Sequence, residues 1–191
     1  TTNYTYDDTG KLQACAGTTT VTGTNAKSSD AAVAKTEDKS VGSYSSTIKD
    51  TYEIKNGQAV LVRSEGTGTS ISFDKTVTAD TTTTTTYENS VSGGEWHVDK
   101  IIENSTSKNR NNAGCQDFTK TTNYTRNDKG VITGMAVSAV GTMTQFGTTD
   151  GATNYKLTSY TATIEKPDGE HGWRISSDTQ KWEKDGTSSS S

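Results

Sequence analysis

A short sequence pattern occurs twice in this chain, once from residue 1 and again from residue 121. Residues 1–5 are repeated at residues 121–125, and each copy is followed by a polar stretch that ends in a glycine, Gly10 or Gly130. Each copy therefore consists of an extended segment, a polar turn and a second extended segment. This repetition favours a β-rich protein built from similar units.

A weaker correspondence links residues 51–57 with residues 161–169, where the order of residue types is kept and the spacing differs. Together the two correspondences predict two related β modules. The first module is expected at residues 1–115, with an inserted loop or short helix at about 23–40. The second, shorter module is expected at residues 116–191 and ends in a serine-rich tail.

The chain has few residues from which to build a core. Hydrophobic residues make up 28% of its 191 positions, whereas ordinary globular chains have about 45–50% on a count that includes glycine. Threonine is abundant instead, and this β-branched residue disfavours helix and suits a half-solvated strand. Disorder is disfavoured, because the chain has a single proline and a net charge of only -4. We therefore expect an all-β fold of antiparallel sheets, either a β-sandwich or extended β-sheet modules with an internal duplication.

Alternating apolar and polar residues indicate several strands with one buried face. Tyr52 and Ile54 are expected to share a face, as are Trp96 and Val98, while residues 59–62 are apolar enough to be buried on both sides. The threonine run at 81–86 suits an exposed strand. Asn-Gly at positions 56–57 predicts a tight hairpin turn. Further turns are expected at positions 9–10, 92–94, 129–130, 150–151, 168–169 and 185–186.

The sequence contains no recognisable catalytic or metal-binding pattern. Asp-Thr-Gly at 8–10 matches the aspartic-protease triplet, but those enzymes need two such loops in apolar sequence, and residues 128–130 do not match. The only histidines, His97 and His171, have no second ligand at helical or loop spacing. The sequence thus predicts a protein without enzymatic activity or a cofactor. A weak calcium site built from turn carboxylates is the alternative role for the acidic residues.

Charge and hydropathy exclude two classes of partner. The acidic net charge argues against nucleic acid, which requires clustered lysine and arginine. No apolar run approaches the 18 residues of a membrane span. The chain begins without methionine, which agrees with a secreted protein whose signal has been removed. We therefore expect an extracellular or cell-surface location.

Cys15 and Cys115 are the only cysteines. In a secreted protein we expect them to form a disulfide, which would close a loop of about 100 residues. A buried free thiol in each module and a cross-link between subunits are the alternatives.

Aromatic and asparagine residues supply further candidate sites. Tryptophans beside tyrosines can form a platform on which sugars stack, although large aromatic residues also supply burial in a core with few hydrophobes. The sugar-stacking candidates are Trp96, Trp173 and Trp182. Three asparagines match the N-glycosylation pattern, which is short and arises by chance in a chain rich in asparagine and threonine. These are Asn3, Asn104 and Asn123.

The first copy of the repeat stands at the start of the chain. Such a segment either fills its own module or completes the sheet of a neighbouring molecule by strand addition. A head-to-tail contact of this type does not close on itself and therefore grows a fibre. The candidate donor strand consists of Thr1, Thr2, Asn3, Tyr4, Thr5 and Tyr6.

Residues 4–12 and 51–59 resemble the strand–turn–strand units of threonine-rich, tandem-repeat bacterial surface proteins. In composition the chain is similar to subunits of extracellular β filaments. The resemblance implies secretion and a structural or adhesive role. We interpret the chain as a subunit of an extracellular filament or cell-surface array that binds copies of itself. The alternative is a carbohydrate-binding or adhesion module of a larger surface adhesin, with surface glycans as partners.

Overall fold

A computed structural model of the chain describes residues 1–26, 41–71, 78–110, 114–146, 152–165 and 173–188. Within these ranges there are ten β-strands and no helix, which confirms the predicted all-β class. The strands are β1 (Thr2–Tyr6), β2 (Leu12–Ala26), β3 (Val41–Lys55), β4 (Gln58–Ile71), β5 (Thr78–Ser92), β6 (Glu95–Asn109), β7 (Gly114–Arg126), β8 (Ile132–Phe146), β9 (Ala152–Glu165) and β10 (Arg174–Ser188).

All ten strands belong to one open antiparallel sheet in chain order, with β1 and β10 at its two edges. Antiparallel neighbours need only short connections, so a chain of successive hairpins forms this order directly. The described strands form a single sheet, and no β-sandwich is seen among them. The expected module boundary at 115/116 falls inside β7, in the middle of that sheet.

Glycine and asparagine determine the turns at one end of the sheet. Asn56 and Gly57 both have positive φ angles, of 52° and 79°, as a tight turn between β3 and β4 requires. Glycines in the turns at 9–10, 92–94 and 129–130 also have positive φ, so these turn predictions are confirmed. The turns expected at 150–151 and 168–169, and most of the insertion expected at 23–40, lie outside the described residues.

One predicted turn is wrong. Asp185 and Gly186 lie inside β10, where the pairing with β9 shifts register between Lys184 and Gly186. Aspartate and glycine favour a β-bulge as well as a turn, since both conformations depart from regular strand geometry.

The two faces of the sheet differ in composition. Successive side chains of a strand point to opposite faces, and the register places Tyr52, Leu61 and Tyr87 on one side, which we call the apolar face. The opposite side, the polar face, carries mainly threonine, serine, lysine and glutamate. Large residues of the apolar face include Tyr4, Tyr6, Val21, Tyr44, Ile48, Tyr52, Ile54, Leu61, Tyr87, Val91, Trp96, Val98, Ile101, Phe118, Met135, Val137, Met143, Tyr155, Leu157, Tyr160 and Trp182.

The core is as thin as the composition predicts. Among the described residues, the buried hydrophobic side chains are Cys15, Val60, Ala152 and Leu157, and no side chain is fully buried. Within the predicted doubly buried segment at 59–62, only Val60 is buried and the other three residues are half-buried. The threonine run forms part of β5 and is mostly half-buried rather than exposed.

Arg126, at the end of β7, links the β7–β8 turn to β6. Its guanidinium donates to the carbonyl oxygens of Gly130 (2.8 Å) and Val98 (2.9 Å), and Nε lies 3.5 Å from the Asp99 carboxylate. Its side chain is 17% exposed. A charged group with these partners fixes the β7–β8 turn against β6.

Replacing Gly57 by alanine is expected to lower the free energy of unfolding by about 1–2 kcal/mol. Gly57 has a positive φ angle, and a residue with a Cβ is destabilised by about that amount in this left-handed conformation. Gly66→Ala is the matched control. Its added Cβ would lie 3.7 Å from the Thr83 Cβ and 3.8 Å from the Ile48 Cγ1, which is ordinary contact. We expect it to be neutral or to stabilise by up to ~1 kcal/mol. Urea unfolding measures both variants, and equal losses would contradict the strain argument.

Candidate functional site: the N-terminal edge

The candidate donor strand lies at one edge of the sheet, in the sheet of its own chain. β1 pairs antiparallel with β2, with Tyr4 opposite Cys15, and all five of its residues are exposed. Thr1 and Thr18 exchange two backbone hydrogen bonds, of 2.7 and 2.8 Å. Beyond Thr18, the outer side of β2 has no strand beside it in the described part of the chain.

The hydrogen-bond pattern shows which backbone groups of β1 face the open edge. In an antiparallel pair, residues that exchange hydrogen bonds alternate with residues that do not. Because Thr1 exchanges bonds with Thr18, the backbone groups of Thr2 and Tyr4 point away from β2. They are available to another strand.

The two edges of the sheet differ in charge. β1 and β2 contain no charged residue, whereas β10 contains six and shifts register against β9 at three places. Charged side chains and bulges are the usual means by which a sheet edge is protected from pairing with another molecule. The N-terminal edge is therefore the edge open to strand pairing.

A closed turn joins β1 to β2. Asp7 Oδ1 accepts hydrogen bonds from the backbone N–H groups of Thr9 (3.0 Å) and Lys11 (2.9 Å) and from the Thr9 hydroxyl (2.7 Å). Asp7 Oδ2 accepts from Gln13 Nε2 at 2.8 Å. Chiefly through the Thr9 hydroxyl and the Lys11 N–H, these bonds lower the pKa of Asp7 from 3.8 to about 2.

The second copy of the repeat forms the same turn with asparagine in place of aspartate. Asn127 Oδ1 accepts from the N–H groups of Lys129 and Val131, both at 3.0 Å. The strand before this turn, β7, lies between β6 and β8, whereas β1 has a neighbour on one side only among the strands that the structure describes. The repeated sequence thus occupies an interior position once and an edge position once.

The predicted disulfide within the chain is not formed. Both cysteines are free thiols, Cys15 buried and Cys115 half-buried. Cys15 lies in β2 and Cys115 in β7, with four strands between them, and the register places the two side chains on opposite faces of the sheet. No movement of side chains alone can bridge them.

The tryptophans do not form one platform. Lys55 Nζ lies 5.1 Å from the ring centroid of Trp96 in β6, and Trp173 Nε1 donates to the Ile132 carbonyl at 3.2 Å. Trp182 lies within β10, nine residues after Trp173, which corresponds to roughly 30 Å of extended strand. All three rings are half-buried.

The three asparagines of the glycosylation pattern are exposed and lie on strands rather than in loops. By register, all three lie on the polar face. Asn104 Oδ1 accepts a hydrogen bond from the Thr119 hydroxyl at 2.8 Å.

Within the described residues, no helix is long and apolar enough to cross a bilayer, and no three His, Cys, Asp or Glu side chains are placed to hold a metal ion. Comparison with known proteins gives no assignment, since no family model, curated protein or solved structure matches this chain.

Sequence reasoning predicted the turn at 9–10 and selected residues 1–6 as a candidate donor strand, but it overlooked Asp7. The usable signal was its position at the start of a turn that ends in glycine, because aspartate and asparagine side chains accept bonds from backbone N–H groups two residues onward. The equivalent Asn127 repeats that signal.

Asp7→Asn is expected to make the first turn insensitive to acid while keeping its shape, as Asn127 does in the second turn. A carboxylate with a lowered pKa stabilises the fold above pH 3.8, and this contribution is lost as the pH falls through about 2. NMR titration of the Thr9 and Lys11 N–H signals between pH 5 and 1.5 follows the protonation of Asp7. The native chain should show a step near pH 2. Persistence of that step in Asp7→Asn would contradict the assignment.

Proposed function

We propose that the chain is a secreted structural protein, a subunit of an extracellular filament or cell-surface array that assembles by strand exchange through its N-terminal segment. The observation that carries the proposal is the contrast between the two edges. β1 and β2 form an uncharged edge, while six charged residues and three register shifts protect β10.

Release of β1 removes little buried surface. Its five residues are all exposed, and within the described ranges it pairs with β2 alone. The main cost is the opening of the turn at residues 7–11, where Asp7 accepts several hydrogen bonds. Pairing with β2 of a second copy restores the backbone bonds that release breaks, so the exchange is nearly balanced within the sheet.

Serial exchange of β1 between chains explains how a fibre grows without any pairing at the β10 edge. Each chain gives β1 to the next chain and receives a β1 from the chain before it. The contact is head-to-tail and does not close on itself, so the product is a fibre. The donated strand takes the position beside β2 that β1 occupies in the single chain.

A disulfide between β1 and β2 tests the exchange directly. Tyr4 lies opposite Cys15 at a pair that does not exchange hydrogen bonds, where Cα atoms are about 4.5 Å apart, within the range of disulfides. We would make Tyr4→Cys in a Cys115→Ser background. Oxidation of the dilute chain should lock β1 in place and prevent fibre formation, as seen by electron microscopy, and reduction should restore it.

Oxidation after assembly distinguishes strand exchange from pairing of intact sheet edges, because the two mechanisms place the introduced thiol and the Cys15 thiol in different chains and in the same chain, respectively. Exchange predicts disulfides between chains and a covalent ladder on a non-reducing gel, whereas edge pairing without exchange predicts monomers only. Tyr4→Ser in the same background is the matched control and should assemble in either redox state. A chain lacking residues 1–12 should form no fibres. Fibres from locked chains as abundant as those from reduced chains would refute strand exchange.

A further inference from the structure

The apolar face contains a trough lined mainly by glycine, serine and threonine, with Ile48, Leu61 and Tyr87 also at its surface. Its volume is about 550 Å³, and it extends across β2 to β6. Gly66 and Gly68 lie along it. Gly68 pairs with Ser46 and Thr81, and Gly66 pairs with Ile48 and Thr83. At one position Ser64 donates to the Asp50 carboxylate at 2.6 Å and is only 8% exposed. Ser64 is therefore held by Asp50 at a buried position of the trough.

The same face carries a ridge of large side chains across β7 to β10. We define the aromatic ridge as Phe118, Tyr160 and Trp182. The Phe118 and Tyr160 rings pack edge to face, with centroids 6.2 Å apart. A Cβ on Gly141 would lie 3.0 Å from the Trp182 ring and 3.3 Å from the Phe118 ring, so the two rings meet over that glycine. Leu157 in the neighbouring strand is 7% exposed.

The surface of the chain is too large for a compact monomer. Its accessible area is 12578 Å², whereas a compact protein of 20.3 kDa has about 8,800 Å². The excess of about 3,800 Å² exceeds the roughly 800 Å² per partner of a standard interface and suffices for an obligate homodimer. Most of the exposed large hydrophobic residues belong to the apolar face: Tyr4, Tyr6, Val21, Tyr44 and Val91.

We propose that a second copy of this chain packs on the apolar face, so that the aromatic ridge of each copy enters the trough of the other. A two-fold axis parallel to the strands and above β6 exchanges the two halves of the face, because the trough ends at β6 and the ridge begins at β7 in the sheet. The contact is isologous and closes in a pair. The product is two aligned sheet layers about 10 Å apart.

Charged groups on this face favour a protein partner over lipid. Asp50 and Glu103 line the trough, and burial of carboxylates in hydrocarbon is costly. Against a second copy they keep their present partners, since Ser64 donates to Asp50 and Lys120 Nζ lies 3.2 Å from Glu103. The contact is separate from strand exchange, because it uses the face of the sheet and leaves β1 in place.

The threonine run supplies matched variants on opposite faces of one strand. Thr83 lines the trough, whereas Thr82 is exposed on the polar face. In the oxidised Tyr4→Cys, Cys115→Ser chain, which cannot exchange β1, Thr83→Lys should raise the dimer Kd at least about 30-fold by placing an unpaired charge in the contact. Thr82→Lys should change it less than about threefold. Sedimentation velocity across a concentration series measures each Kd.

Circular dichroism establishes that each variant is folded, and Thr81→Lys, at another trough position, replaces Thr83→Lys if that chain is unfolded. A dimer of the locked chain that Thr83→Lys dissociates and Thr82→Lys preserves supports the face contact. A locked chain that stays monomeric, or equal effects of the two variants, would overturn it. So would flotation of the locked chain with neutral phosphatidylcholine vesicles. Strand exchange is judged separately, by the covalent ladder of assembled reduced chains.

Discussion

The fold depends on one constraint, which is that ten strands form a single layer in which each pairs only with its neighbours. Backbone hydrogen bonds between strands and contacts between side chains on adjacent strands must then provide most of the stability. Among the described residues only four hydrophobic side chains are buried. Threonine suits this arrangement, because its branched side chain packs against cross-strand neighbours on a surface that remains partly wet.

Local features were predictable from the sequence because short-range rules determine them. Alternation at Tyr52 and Ile54 identified β3, and Asn56-Gly57 identified the turn after it, since few residues adopt the positive φ that such a turn requires. The thin core followed from the low hydrophobic content. Asp185-Gly186 was the exception, because the same residue pair is compatible with a turn and with a bulge, and the pairing of β9 with β10 decides between them.

Relationships between distant residues were not predictable, because period-two alternation gives the face of a side chain within its strand but not the order of strands. The disulfide prediction failed for this reason. Cys15 and Cys115 are compatible with a disulfide in many strand orders, but not when four strands separate them and the side chains occupy opposite faces. The trough beside Gly66 likewise appears only when β3, β4 and β5 are adjacent.

The contacts proposed for the N-terminal edge and for the apolar face differ in kind. Serial exchange of β1 is head-to-tail and grows without limit, whereas the face contact is isologous and closes in a pair. A chain that makes both contacts therefore joins two growing strings of subunits, with the apolar faces covered between them. A thin sheet would gain much of its burial only in that paired form. Once one contact holds two chains together, it raises the effective concentration of their neighbours for the second contact. If both proposed contacts form, assembly and folding are coupled, and the single sheet is one half of a two-layer structure.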